Sequence, residues 1–269
     1  MVLTEAARSR RAEDDTVQAA RPLPWRYLFR SSIGRKFLVA GSAAFLAIFA
    51  LGHTVGNLTI FIGPGAINTY AHHLQSLPFG LIWVVRALVL SAFLVHAGFA
   101  GALNGENSKV KARGYLGERY LAATSASRGM MISGGVILLF IVFHILHLTT
   151  RSVQDFSMLQ DYTLRGVTHP VMNVYAMTYI GFSNVFISLF YIAAMWLLSG
   201  HLAHGVASVF QSIGWRNAVW RARLEFIASL YGWFVFIGLS SIPFAVLLDA
   251  WLGVPIFDKS SFLHHLNGA

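Results

Sequence analysis

Five apolar stretches, each longer than the roughly 20 residues that cross about 30 Å of hydrocarbon, dominate this chain. They run over about 37–62, which stops at Gly63-Pro64, and over 80–103, 129–149, 176–204 and 224–250. The fourth continues into an amphipathic segment, GVASVFQSIGW, and the fifth contains Pro243, which is expected to kink it. In lipid every backbone N–H and C=O must be satisfied internally, so spans of this length are helices. The expected fold is an all-α integral membrane protein, five transmembrane helices in one bundle. Composition agrees: 12% of residues are charged, against about a quarter in a soluble domain. Glycine, at 24 residues, suits close helix packing in lipid.

Lysine and arginine set the expected orientation. Arg21, Arg26, Arg30, Arg35 and Lys36 precede the first span. Lys109, Lys111, Arg113, Arg119 and Arg128 fill the second connection, and Arg216, Arg221 and Arg223 the fourth. The first connection on the other side has no Lys or Arg, and the next balances Arg151 and Arg165 with Asp155 and Asp161. The N-terminus is therefore expected to be cytoplasmic and the C-terminus outside. Residues 1–24 read as a flexible cytoplasmic tail, 25–250 as the membrane domain and 251–269 as an outer C-terminal tail. Within the second, 25–36 mixes aromatics and cations as an interfacial helix does. No removable signal peptide is seen. The formal net charge of +9 follows topology, so no nucleic-acid partner is expected, only membrane lipid.

Histidines carry the chemistry. His53, His96, His144 and His204 fall on four different spans, with His147 and His201 one helical turn from two of them. An intramembrane imidazole needs a partner and is a functional hypothesis by default. Depth sorts them. His53 and His144 lie about 16 and 15 residues from the inner ends of their spans, roughly 24 Å in, near the outer leaflet. His96 is equally far from the outer end of its span, and His201 and His204 close the fourth span at the inner side. An outer and an inner pair, each drawn from two helices, suit two haem irons with two axial imidazoles each. A single histidine near a helix end is ordinarily interfacial or bonded to a carbonyl; four at matching depths are hard to obtain that way. The chain has no cysteine, which excludes iron–sulfur and thiolate–zinc ligation and covalent haem attachment, so any haem is held non-covalently. Spacing alone does not choose between His144 and His147, or between His204 and His201.

Haem also needs room and partners for its propionates. Gly41, Gly52, Gly56, Gly98 and Gly134 could admit a flat ring. Arg86, just inside the outer end of the second span, either snorkels or pairs with an anion such as a propionate. Arg128 with Ser127, and Arg35 with Ser31 and Ser32, are placed likewise at the inner face, where plain positive-inside anchoring is the competing reading. His72 and His73 read as solvated residues or propionate neighbours, and His169, His264 and His265 carry little signal.

The strings SSIGRKF before the first span, LGHTVGN in it, NTYAHHLQSLP after it and LVHAGFAG in the second have a common resemblance. So do SASRGMMISG and FHILHL in the third and LAHGVASVFQSIGW in the fourth. From about Ser31 to Leu248 the chain resembles the five-helix, di-haem cytochrome b membrane anchor of succinate dehydrogenase and fumarate reductase. The resemblance implies that His96 and His204 hold a proximal haem b and His53 and His144 a distal one. The histidine of the family's fourth span precedes a glycine, which His204-Gly205 matches and His201-Leu202 does not.

It further implies residence in a bacterial inner membrane, as part of respiratory complex II of the tricarboxylic acid cycle. A flavoprotein and an iron–sulfur subunit would dock on the cytoplasmic face, and succinate chemistry would belong to those partners. Electrons would run from the iron–sulfur subunit through both haems to a quinone; a higher oligomer of the complex is compatible with this. Ser31, Ser32 and Arg35 could meet the quinone near the proximal haem, and Tyr70, His72, His73 and Arg86 near the distal one, a location that suits menaquinone. Some menaquinol-oxidising relatives carry a glutamate two residues before the histidine of the fourth span. Here Leu202 stands there and no mid-membrane carboxylate replaces it, which makes electron flow electrogenic. The other readings are a di-haem anchor of a different dehydrogenase, a quinol-oxidising fumarate reductase, and a transporter whose histidines bind metal or protons.

Overall fold

In the computed structural model the structure describes residues 24–112, 125–161, 164, 167–260 and 262. The segment read as a flexible tail lies, up to residue 23, outside the described residues, as do His264 and His265. The described residues form eight α-helices, in order α1 (Pro24–Arg30), α2 (Ser32–Leu58), α3 (Pro64–Gln75), α4 (Leu81–Ala112), α5 (Ser125–His144), α6 (Val174–Phe182), α7 (Val185–Ser212) and α8 (Arg221–Leu252). Five of them, α2, α4, α5, α7 and α8, are long and apolar enough to cross a membrane, the build of an all-α multi-pass membrane protein.

Local sequence explains the breaks. Ser31 ends α1 and caps α2, its Oγ accepting from Gly34 N at 3.0 Å and donating to the Tyr27 carbonyl at 2.7 Å. A Cβ on Gly34 would lie 2.4 Å from the Leu28 carbonyl oxygen, so this glycine lets α1 fold against the start of α2. The fourth apolar stretch is two helices rather than one. Asn184 caps α7, its side-chain oxygen accepting from Phe186 N and Ile187 N, and α6 stands apart from the span. α8 runs through Pro243, which is buried.

α7 packs most extensively against α8, and a Cβ on Gly232 would sit 2.5 Å from the Ser199 carbonyl oxygen. α2 joins this pair through Gly238, whose missing side chain makes room for Thr54, and through Tyr231, whose hydroxyl donates to the Ala47 carbonyl at 2.6 Å. α4 lies on the far side of α2 and barely touches α5, which packs against α7. The helices α2, α4, α5 and α7 therefore form a ring that is loose between α4 and α5.

The two ends of the bundle differ. At the basic end, Arg35 on α2 pairs with Glu106 on α4 and donates to the Phe29 carbonyl at 2.9 Å, while Arg216 and Arg221 pair with Glu225. The opposite end is covered by an ordered cap. Its β1 (Gln160–Asp161) and β2 (Val171–Met172) pair antiparallel, and Phe156, Leu159, Phe257 and Phe262 pack with Tyr175 and Tyr179 of α6 in the apolar core. Asn68 of α3 donates to Asp161 at 2.8 Å and to Asn173 at 3.1 Å and accepts from Tyr175 N, which ties α3, the hairpin and α6 together. The buried carboxylate of Asp249, at the end of α8, takes Tyr179 Oη at 2.9 Å, Ile256 N and Phe257 N at 2.8 Å and Lys259 Nζ at 2.5 Å. The chain after α8, read as a tail, thus folds back onto the bundle up to Phe262.

Candidate functional site

Two histidine pairs face each other across the ring of helices. Near the capped end, His53 on α2 and His144 on α5 have ring centroids 5.8 Å apart, with planes at 89°. Near the basic end, His96 on α4 and His201 on α7 have centroids 6.2 Å apart at 74°. The levels are fixed by neighbours. The ring of His96 lies against the carbonyl of Val39, about 14 residues before His53 on α2, or roughly 21 Å along the axis. His201 contacts Ser133, about 11 residues before His144 on α5, roughly 16 Å.

An imidazole nitrogen binds a metal at about 2 Å, and two on opposite sides of one ion place their ring centres about 6 Å apart. That spacing alone also suits an edge-to-face contact between rings. Hydrogen bonding separates the two. A carbonyl only accepts, so the 3.4 Å contact of His96 Nδ1 with Val39 O puts the ring proton on Nδ1. Ser133 Oγ lies 3.1 Å from both the Met130 carbonyl and Nδ1 of His201, so with its proton on the carbonyl its oxygen accepts from that nitrogen. Both rings are left with a bare Nε2, the arrangement in which a metal-ligating histidine is held by its other nitrogen. His204, one turn on, has no side-chain hydrogen bond among the described residues, and the ring beside His96 is that of His201. The structure thus sets His201, rather than His204, opposite His96.

At the capped end the competing residue is His147, in the single π-helical turn (Ile145–Thr149) that follows α5. It is fully buried. Its Nδ1 lies 3.0 Å from Tyr191 Oη, and its Nε2 faces Gly181, where a Cβ would be 3.2 Å away. A flat macrocycle has no room there. His53 and His144 are only half-buried, and Phe49 stacks on His53 at 5.5 Å.

The glycines divide. A Cβ on Gly41, Gly52 or Gly98, all three exposed, would meet nothing within 4 Å. Gly134 would place one 3.5 Å from Cε1 of His201. Gly56 is different: its space is taken by the ring of Tyr70, whose hydroxyl comes within 2.2 Å of the position a Cβ would hold. The paired rings fit two bis-imidazole haems, which His53, His144, His96 and His201 would hold.

The polar candidates are scattered. Arg86 is exposed, its guanidinium 4.6 Å from the centre of the Trp83 ring. Ser127 and Arg128 lie in the first turn of α5, their side chains outside the described residues. Ser31 and Arg35 are engaged in the cap of α2 and the pair with Glu106, and Ser32 is exposed. His72 and His73 end α3, and His169, which carried no signal in sequence, comes within 6.2 Å of the His72 ring. Tyr191, Ser133 and Asp249 also escaped the sequence. Tyrosines and serines are unremarkable in helices, and only the fold brings these beside histidines or the returning chain. In the cap, burial pushes the Tyr175 phenol above its ordinary pKa, and Ser260 holds the Asp258 carboxyl below the usual carboxylate range.

Comparison with family models, with curated proteins and with solved structures finds no match for this chain.

Proposed function

We propose that this chain is the di-haem cytochrome b membrane anchor of a succinate:quinone oxidoreductase. It would carry electrons between an iron–sulfur partner at its basic end and a quinone. Haem, when bound, supplies a reversible one-electron carrier. The observation that carries the reading is the repetition of one arrangement at two levels: two rings from two helices, centroids 5.8 and 6.2 Å apart. A transporter would be expected to line its path with acidic groups as well. The carboxylate that this structure buries at the end of a span, Asp249, is consumed by the cap.

The residues themselves do four things. His53, His144, His96 and His201 offer ring nitrogens; Val39 and Ser133 orient two of those rings; Gly41, Gly52 and Gly98 leave space; the apolar spans exclude water. The basic end, with Arg26, Arg30 and the Arg216 turn, is the face for the flavoprotein and iron–sulfur subunits, and it sits on the cytoplasmic side of a bacterial inner membrane. For the quinone, the side chains of Tyr70, His72 and His73 at the capped end form no hydrogen bond among the described residues. Ser31 has already given its proton to a carbonyl. This favours a quinone near the His53–His144 pair and, with it, menaquinone.

Purification of the tagged chain from its native membrane tests the reading. A flavoprotein and an iron–sulfur protein should co-purify, and succinate should reduce the b-type absorption. Co-purification with a different dehydrogenase, reducible only by that enzyme's substrate, would transfer the anchor to that partner.

A further inference from the structure

Tyr191 of α7 is buried among α5 and α6, and its hydroxyl stands between two imidazoles. It lies 3.0 Å from Nδ1 of His147 and 3.4 Å from Nδ1 of His144. A phenol has one proton to give and lone pairs to receive with. If His144 binds through Nε2, its proton is on Nδ1 and is donated to Tyr191 Oη. The tyrosine's own proton then goes to the acceptor at the shorter distance, Nδ1 of His147. The remaining proton of His147 is on Nε2, which is buried against Gly181 with no hydrogen bond formed among the described residues, although the Gln154 side chain approaches the ring.

A buried N–H that forms no hydrogen bond carries a desolvation cost. Phe143, Phe156 and Phe182 crowd the same ring, and an apolar side chain would fill the space without the cost. A histidine here has a use if its Nδ1 is needed as an acceptor. We propose that Tyr191 is a positioning residue for His144, and that His147 fixes the direction of its hydroxyl so that an oxygen lone pair always faces His144. This rests on the haem reading above. An acceptor at the second nitrogen raises the basicity of a ligating imidazole and favours the oxidised metal.

Potentiometric titration of membranes holding the full chain, read at the visible band of each haem, tests this. Tyr191→Phe should make the capped-end haem easier to reduce. The expected change is about tenfold in its oxidised-to-reduced ratio, or roughly 59 mV for one electron, with the basic-end haem unmoved. His147→Leu should move it in the same direction, and His147→Gln, which keeps an acceptor, should restore the original value. If Tyr191→Phe does not accumulate, the two His147 variants decide alone. Both haems present with unshifted potentials would overturn the proposal and leave the haem reading standing. Loss of one haem in His147→Gln would overturn it by making His147 the ligand. No haem in the unaltered chain would instead remove the reading on which it rests.

Discussion

The ring of His96 stands 6.2 Å from that of His201, on a helix that reaches it from the other side of α2. Each ring donates Nδ1–H to a fixed acceptor, Val39 O or Ser133 Oγ. The first prediction follows from this pair. His96→Ala and His201→Ala should each remove one and the same haem, while His204→Ala should retain both. Difference spectra of the three variants check it. Retention of both haems in His201→Ala with loss in His204→Ala would move the ligand one turn along α7.

The capped-end pair gives the second. His53→Ala and His144→Ala should both remove the other haem, and His147→Ala should leave two haems in place, since its free nitrogen is walled off by Gly181. The comparison uses the same spectra. A haem lost jointly by His53→Ala and His96→Ala would show that the two levels are not independent.

A third concerns Asp249. Replacing it with alanine strands Tyr179 Oη, two backbone N–H groups and the ammonium of Lys259. The expected loss is about 3 kcal/mol, on the basis of buried donors left unpaired. Limited trypsin digestion should cut after Lys259 much faster in Asp249→Ala than in the unaltered chain, and equal rates would contradict the role given to the carboxylate.

Helix packing supplies the fourth. Gly232→Ala forces a methyl group against the Ser199 carbonyl and should cost about 1–3 kcal/mol, seen as a lower melting temperature in detergent. Gly105→Ala, with nothing within 4 Å, should melt no earlier than the unaltered chain.

The cap adds a pH dependence. The Tyr175 phenol is pushed up by burial, so above about pH 10 the unfolded chain releases a proton that the folded chain retains. Stability from this group is full below that pH and falls as the pH climbs toward the raised folded value. Tyr175→Phe should flatten the alkaline limb of a melting-temperature profile.

Much of this architecture was legible because lipid imposes a simple length and hydropathy rule. Four of the five spans, the fourth excepted, begin and end within about five residues of where the sequence places them. The fourth begins only at Val185 rather than at 176, because Asn184 supplies a cap that hydropathy does not register, and it runs on to Ser212. The cap itself was not legible. It is built from isolated pairings such as Asn68 with Asp161 and Asp249 with Lys259, far apart in sequence and without periodicity. For the histidines, depth along each helix separates two levels, but the choice between neighbours one turn apart depends on rotation about the helix axis. Only packing fixes that rotation, and it turns His201 toward His96 and buries His147 behind Tyr191.

The most direct measurement is a reduced-minus-oxidised visible spectrum of the purified membrane protein with a pyridine haemochrome count per chain. The account predicts two low-spin b-type haems for each copy. A preparation that folds and accumulates but binds no haem would contradict it.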